Sequence, residues 1–202
     1  MINPHNLELF KNRDRIEACK KLKISSTKKY FLYVGRLVKN KGIEELLETF
    51  NEIKSEYSDM NLIFIGDGLL KKEITEFIEK NNLNDRVELK GKLPHEIICY
   101  YYNACSILFH IGISGGLPNV IIEGIASQIP VIASKNNANS DYVNEELKTG
   151  IIIDPGNKKE LKNAITTIVE NSETFSGNIP EIIKEHSFEG FGEKLESIYK
   201  ES

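Results

Sequence analysis

Short runs of aliphatic and aromatic residues recur along the chain, and longer stretches with an apolar residue every three to four positions separate them. Runs of the first kind are typical of buried strands, and stretches of the second kind are typical of amphipathic helices. The predicted strands are Phe31–Val34, Leu62–Ile65, Val87–Leu89, Ile107–Phe109, Val131–Ala133 and Ile151–Ile153. Because strands that are apolar throughout are buried on both faces, their alternation with helices predicts an α/β fold with a covered parallel sheet.

Helices are expected between these strands and in the C-terminal tail. The predicted helices begin near Ile43, Leu70, Pro94, Pro118 and Asn157. A surface loop is predicted over Ser172–Gly177. Apolar residues at helical spacing then predict an amphipathic tail helix, and these residues are Phe188, Phe191, Leu195, Ile198 and Tyr199. The chain is predicted to be one domain, residues 29–202, that follows an N-terminal extension over residues 1–28.

Composition and charge exclude several classes of function without selecting one. With 40 % hydrophobic and 28 % charged residues, the chain resembles an ordinary soluble globular domain. The formal net charge of −4 gives no electrostatic reason to expect a nucleic-acid partner. The sequence has no run of membrane-spanning length and no apolar signal region at its start. Since Cys19, Cys99 and Cys105 lack the spacing of metal ligands, we expect a cytoplasmic protein without a metal site.

The stretch from Gly112 to Ala133 carries the strongest chemical signal. Gly115 and Gly116 precede a predicted helix, whose N-terminus offers unpaired N–H groups and the positive end of the helix dipole. Glycines let the phosphates of a ligand approach these groups, and Pro118 suits a first helical turn, where its missing N–H is not needed. Glu123 lies farther inside the helix and is better suited to ribose hydroxyls than to phosphate. The pattern predicts a nucleotide-diphosphate site.

Two ordered motifs resemble signatures of the family 4 (group 1) glycosyltransferases. Residues 115–134, GGLPNVIIEGIASQIPVIAS, are similar to the family's EGLPNVLLEAMAxGxPVIAS, and residues 34–42, VGRLVKNKG, are similar to VGRLxxxKG. The similarity runs from about Asn6 to the C-terminus and implies the Rossmann-like, C-terminal donor-binding half of the GT-B fold. The opening INPHNLELF resembles the segment NGVDLxxF that crosses between the two domains of such enzymes, so residues 1–28 are expected to be a crossover segment.

The resemblance also implies roles at the carboxyl ends of the strands, where ligands of parallel sheets bind. Arg36 and Lys41 match the pair that binds the donor phosphates and stabilises the leaving nucleotide, and Glu123 matches the glutamate that holds the ribose. The other implied donor contacts are Gly35, Gly115, Gly116, Leu117, Pro118 and Asn119 near the phosphates, and Gly91 and Lys92 near the base. From the residues alone, other interpretations stay open. Arg36 and Lys41 could lie on a solvated basic turn, and Glu123 could be an acid favoured by the helix dipole. Gly91 and Lys92 could form a plain turn.

The sequence departs from the family pattern where the donor sugar is expected. The family has two glutamates eight positions apart, and Gly115 stands where the first would be. The loop Lys135–Asp141 lacks the family's paired glycines, and Asp141 takes its acidic position. Gly115 could admit a different sugar or a water molecule, or it could mark an inactive copy. His110, after the fourth strand, is either a hydrogen-bond donor to phosphate or a structural residue.

The function that the resemblance implies is retaining transfer of a glycosyl unit from a UDP- or GDP-linked sugar to a glycan or a lipid-linked acceptor, with no metal required. The expected partners are the nucleotide sugar and either an N-terminal acceptor-binding domain or a separate chain, which would also allow peripheral association with the inner face of the membrane. Without that partner the isolated chain is expected to be inactive. A non-catalytic nucleotide- or partner-binding module is the alternative, and a nucleotide-sugar epimerase is disfavoured by the GLPNV loop.

Overall fold

The computed structural model describes residues 6–113, 117–175 and 181–187 and the single positions 190, 192 and 196. The strands of this part of the chain are β1 (Lys29–Val34), β2 (Met60–Ile65), β3 (Val87–Leu89), β4 (Ile107–His110), β5 (Val131–Ser134) and β6 (Gly150–Ile153). They form one sheet in the order β3-β2-β1-β4-β5-β6, and every neighbouring pair is parallel. The predicted α/β class, with a Rossmann-like parallel sheet, is confirmed.

Helices connect the strands and cover the sheet. They are α1 (Arg15–Leu22), α2 (Ile43–Ile53), α3 (Lys71–Lys80), α4 (His95–Ala104), α5 (Asn119–Ala126), α6 (Asn137–Ser140), α7 (Lys158–Glu170) and α8 (Glu181–Lys184). The helices α2, α3, α4, α5 and α7 lie where the hydrophobic spacing predicted them. Asn157 caps α7 as expected, because its side chain accepts a hydrogen bond from the Glu160 N–H.

Alternate residues of β1 enter two different cores. Phe31 and Tyr33 pack on the face covered by α2, α3 and α7, whereas Leu32 and Val34 pack on the face covered by α4 and α5. All four side chains are at most 8 % exposed. The central strand is therefore buried on both sides, which is the reason that its sequence is apolar at consecutive positions.

The segment before β1 contains a helix, α1, that the hydrophobic pattern did not predict. Asp14 caps this helix by accepting a hydrogen bond from the Glu17 N–H. The helix packs against α4 through Ala18 and Cys19, while Ile16 stays exposed. Because two small buried residues make only a narrow apolar stripe, the hydrophobic periodicity of this segment is too weak to indicate a helix. The proposed domain boundary at residue 29 stays a prediction.

The prediction of a surface loop after α7 is wrong at one residue. Ser172–Thr174 form an exposed 3₁₀ turn, but Phe175 is only 5 % exposed and packs into the core next to α7. Burial of a phenyl ring is favourable enough to hold this end of the segment on the domain. The rest of the predicted loop and the five apolar positions of the predicted tail helix lie outside the described residues.

Candidate functional site

Three glycines lie side by side where β1, β2 and β3 end. The Gly35 N–H donates to the Ile65 carbonyl at 2.9 Å, and the Gly66 N–H donates to the Gly91 carbonyl at 2.8 Å. A Cβ atom on Gly66 would overlap the Gly35 carbonyl oxygen. The absence of side chains thus lets the backbone segments after three neighbouring strands pack directly against one another at the carboxyl edge of the sheet.

The loop after β1 also meets the turn after β4. The Ile113 N–H donates to the Asn40 carbonyl at 2.8 Å, and a Cβ atom on Gly112 would overlap the backbone of Lys41. Gly42, with φ of 71°, lies against Ile111 in the same contact. The two sequence motifs are about 80 residues apart in the chain, yet their loops are in direct backbone contact. The described part of the turn therefore lies beside Lys41, on the loop that also carries Arg36.

Arg36 and Lys41 are cations without an internal counterion in the described structure. Arg36 is exposed and Lys41 is half-buried. Neither side chain forms an ion pair with a carboxylate among the described residues. The buried Tyr33 hydroxyl donates to the Arg36 carbonyl at 3.0 Å, which fixes the start of the loop. Burial raises the pKa of Tyr33, while the Arg36 charge opposes that shift. Both cations are thus available to an anionic ligand.

The N-terminus of α5 lacks a side-chain cap. Pro118 is the residue before the first helical residue, Asn119, and its side chain offers no hydrogen-bond acceptor. Pro118 was expected inside the first turn; instead its backbone is extended, with ψ of 136°. Within the described ranges no side chain bonds to the N–H groups of Asn119 and Val120, which are thus open to solvent or to a ligand, whereas the Ile121 N–H donates to the Pro118 carbonyl. Leu117 is half-buried, and Gly115 and Gly116 lie outside the described residues.

Glu123 is a buried carboxylate. Its side chain is on the fifth residue of α5 and is only 4 % exposed. One carboxylate oxygen, Oε2, accepts a 2.8 Å hydrogen bond from the hydroxyl of Tyr102, a fully buried residue of α4. Burial raises the pKa of Glu123, and the Tyr102 hydrogen bond and the charge of His95 partly offset that rise. Such burial of a charge is costly, so this carboxylate is a functional-site candidate.

Sequence reasoning missed Tyr102. The signal available was the run Tyr100–Tyr102, which α4 presents to the sheet and to α1, but nothing in that run distinguishes the tyrosine that reaches Glu123 from its neighbours. The pairing depends on the crossing of α4 and α5, which are 21 residues apart at this hydrogen bond.

His110 ends β4 and is half-buried close to Lys41. Burial, with the Lys41 charge as the second cause, lowers its pKa to about 4. The imidazole is therefore neutral near pH 7, where it can still donate one ring hydrogen bond. Its two possible roles, phosphate contact and structural support, both remain compatible with this position.

Gly91 and Lys92 follow β3, two strands away from β1 in the sheet order. Gly91 has φ of 69° and open space where a Cβ would stand, and Lys92 is exposed. The Gly91 carbonyl already accepts from Gly66, so its backbone also braces the strand ends. The predicted contact of these residues with a base stays a prediction.

Residues 135–141 form more than a loop. A short helix, α6, occupies Asn137–Ser140, and the Asn136 side chain caps it by accepting from the Asn139 N–H at 2.6 Å. Asn139 is buried and donates to the Ser134 carbonyl, whereas Asp141 is exposed just after the helix. Three of the four residues of this helix are asparagine or serine, so no hydrophobic pattern indicates it in the sequence.

Within the described ranges, no group of three or more His, Cys, Asp or Glu side chains is arranged to hold a metal ion. None of the helices in that same part of the chain combines the length and the apolar character that a membrane crossing requires.

Comparison with known proteins gives a consistent match. The profile of the family described as "Glycosyl transferases group 1" matches residues 14–190. An uncharacterised glycosyltransferase of Methanocaldococcus jannaschii is 31 % identical over 173 residues, which is 84 % of this chain and 47 % of that protein. The chain thus spans about half the length of this relative.

Solved structures match the fold over nearly the whole chain. Sucrose-phosphate synthase from Thermosynechococcus elongatus aligns with a TM-score of 0.81 and 25 % identity, over 98 % of this chain and 51 % of that one. The Anabaena protein Alr3699/HepE, solved in complex with UDP, aligns with a TM-score of 0.84 and 20 % identity, over 98 % and 56 % of the respective chains. Here too the chain corresponds to about half of each known protein.

Proposed function

Since the chain belongs to the group 1 glycosyltransferase family, we propose that it is the C-terminal, sugar-nucleotide-binding half of a GT-B enzyme of family 4. The chain spans about half of its relatives, and the donor motifs lie in this half. The acceptor site would then come from an N-terminal domain or from a separate chain. In this proposal residues 1–28 cross toward that partner and residues 29–202 bind the donor.

The contact between the loop at residues 35–42 and the turn before α5 is the observation that carries this proposal. It brings the loop that carries two cations without ion-pair partners among the described residues, Arg36 and Lys41, against the turn that leads to α5. Guanidinium and ammonium groups bind phosphate through charge-assisted hydrogen bonds, and helix N–H groups add the dipole. This combination suits a diphosphate, with Gly35, Gly115, Gly116, Leu117, Pro118 and Asn119 as its backbone and flanking contacts.

Glu123 would hold the ribose, and Gly91 and Lys92 would lie near the base. Support for a nucleotide ligand comes from Alr3699/HepE, which has been solved with UDP and with UDP-glucose. We propose a UDP- or GDP-linked sugar as the donor. No metal is needed in this scheme because Arg36, Lys41 and the helix N-terminus neutralise the phosphate charge themselves.

The proposed reaction is retaining transfer of a hexosyl unit to a glycan or lipid-linked acceptor. The bond between the anomeric carbon and the diphosphate oxygen breaks, a bond to the acceptor oxygen forms on the same face, and the acceptor hydroxyl passes its proton to the departing diphosphate. Arg36, Lys41 and the α5 amides would stabilise the negative charge that develops on the departing diphosphate. A cytoplasmic enzyme at the inner membrane face would suit such acceptors, and the isolated chain would lack transfer activity.

Calorimetric titration with UDP, GDP and ADP tests this function. We expect one of the three to bind with a Kd below about 1 mM, because two cations and a helix N-terminus act on one diphosphate. Inorganic sulfate at equal ionic strength is the control for binding of any anion. If the folded chain binds none of the nucleotides more tightly than sulfate, the donor-site proposal is wrong for this half alone.

A second candidate function is a non-catalytic nucleotide- or partner-binding module. It is favoured by Gly115, which replaces the carboxylate that contacts the sugar in the family, and by Asp141, which replaces the family's acidic residue beyond α6. The two functions differ in their response to the sugar. An enzyme should bind the nucleotide sugar differently from the free nucleotide, whereas a module without a sugar site should bind both equally.

A further inference from the structure

The hydrogen bond between Tyr102 and Glu123 joins two side chains that are both almost completely buried. Tyr102 is 1 % exposed and Glu123 is 4 % exposed. The phenol donates to Oε2 at 2.8 Å, and no donor bonds to the other oxygen, Oε1, among the described residues. A hydrogen bond to a carboxylate is stronger than one between neutral groups and fixes the direction of the acceptor. One carboxylate oxygen therefore accepts a hydrogen bond within the protein, and the other has no donor among the described residues.

The ring of Tyr102 is itself held in place from the N-terminal side. Phe10, which is 2 % exposed, meets the Tyr102 ring edge-on at 5.9 Å and the His95 ring edge-on at 5.7 Å. The Ser127 hydroxyl donates to the Phe10 carbonyl at 2.8 Å. This bond ties the segment before α1 to the end of α5, the helix that carries Glu123. The phenol is thus wedged between α4, α5 and the N-terminal segment, and its hydroxyl has little freedom to turn away.

We propose that Tyr102 is a positioning residue for ribose recognition: its hydroxyl holds Oε2 of Glu123 so that Oε1 can accept hydrogen bonds from the ribose hydroxyls of the ligand. The inference rests on the proposed function, since it needs a nucleotide in the donor site. It adds a residue from α4, outside both sequence motifs, to the recognition of the ligand.

A purely structural role would leave a different signature. A buried carboxylate costs free energy, and an apolar residue of similar volume would fill this site without that cost. The pKa of Tyr102 is raised by burial and by the charge of Glu123, which keeps the phenol protonated and able to donate to the carboxylate. The arrangement therefore favours a carboxylate that is oriented for an outside partner.

The test measures the preference for ribose rather than affinity alone. For each variant, calorimetry measures the Kd of UDP and the Kd of its 2′,3′-dideoxy analogue. The preference for ribose is the ratio of the dideoxy Kd to the UDP Kd. If GDP or ADP is the nucleotide that binds, the matching pair is used. We expect the unaltered chain to prefer the ribose form by about tenfold or more, as for hydrogen bonds to a charged group. Because both ligands are measured on the same variant, a loss of folded protein cancels in the ratio.

Tyr102→Phe should lower this ratio at least about fivefold while the dideoxy nucleotide binds as before, because only the ordered carboxylate is lost. Tyr101→Phe is the matched control: it removes a hydroxyl from the neighbouring buried tyrosine of the same helix, and the ratio should not change. Glu123→Gln should also reduce the preference. In that background Tyr102→Phe should add little, because the two residues act through one carboxylate.

The failure of the two proposals can be told apart. Should the unaltered chain bind no nucleotide, or show no ribose preference, the assignment of Glu123 in the proposed function fails first. A ratio that depends on Glu123 but is the same in Tyr102→Phe would overturn the positioning role alone. If Tyr102→Phe does not fold, 4-fluorophenylalanine at position 102 nearly preserves the volume of the side chain but lacks the hydroxyl donor; a ratio unchanged by it would likewise overturn the role.

Discussion

Gly66→Ala is expected to lower the free energy of unfolding by about 3 kcal/mol, the combined effect of a strained φ and an overpacked contact. Gly66 has φ of 140°, and an added Cβ would overlap the Gly35 carbonyl oxygen. The neighbouring backbone cannot easily give way, because the Gly35 and Gly66 N–H groups are both bonded to adjacent strand ends. Urea unfolding followed by circular dichroism measures the effect, and nucleotide affinity should fall with it because Arg36 follows Gly35.

Gly91→Ala is the matched control for this substitution. Gly91 also has a positive φ, 69°, but nothing lies within 4 Å of the position where its Cβ would stand. The expected cost is only about 1 kcal/mol, which is the backbone strain alone. Equal stabilities of the two variants would show that the close approach of Gly66 to Gly35 does not exist in solution.

Arg36→Ala is expected to weaken binding of the nucleoside diphosphate by about 50-fold, because a guanidinium can donate paired, charge-assisted hydrogen bonds to phosphate. Arg36 is exposed and forms no ion pair within the described residues, so the stability of the fold should hardly change. Calorimetric titration measures the affinity, and thermal unfolding checks the stability of the same sample.

Lys39→Ala separates a specific contact from a general effect of charge. Lys39 is exposed on the same loop, and its removal changes the net charge by the same amount. Its expected effect is no more than about threefold, the size of a screened surface interaction. If both variants lose affinity equally, Arg36 acts only through the net charge of the protein, and the proposed direct contact of Arg36 with the phosphates is wrong.

The elements that the sequence predicted well are those whose signal is local. Six apolar runs marked the six strands, because a strand buried on both faces needs apolar residues at consecutive positions. The helix α1 was missed because its buried stripe consists of Ala18 and Cys19, and α6 was missed because it is stabilised by the Asn136 cap and not by hydrophobic burial. The order of the strands could not be deduced from local patterns.

The same distinction applies to the candidate site. The glycines and cations of the two motifs could be found from sequence because each loop has its own composition and spacing. The contact of Ile113 with Asn40 and the bond from Tyr102 to Glu123 depend on how β1, β4, α4 and α5 are arranged in space. Such long-range contacts leave no periodic trace in the sequence, so only the folded chain shows which tyrosine meets the buried carboxylate.

A nucleoside diphosphate is expected to bind at the carboxyl edge of the sheet, with its phosphates between the loop after β1 and the turn that leads into α5. Nuclear magnetic resonance of the ¹⁵N-labelled chain, titrated with the nucleotide that binds, tests the location of the binding site directly. We expect the largest saturable amide shifts at Gly35, Arg36, Asn119 and Val120, and none at Lys29 and Met60 on the opposite edge of the sheet. Saturable shifts centred away from the carboxyl edge would contradict the claim.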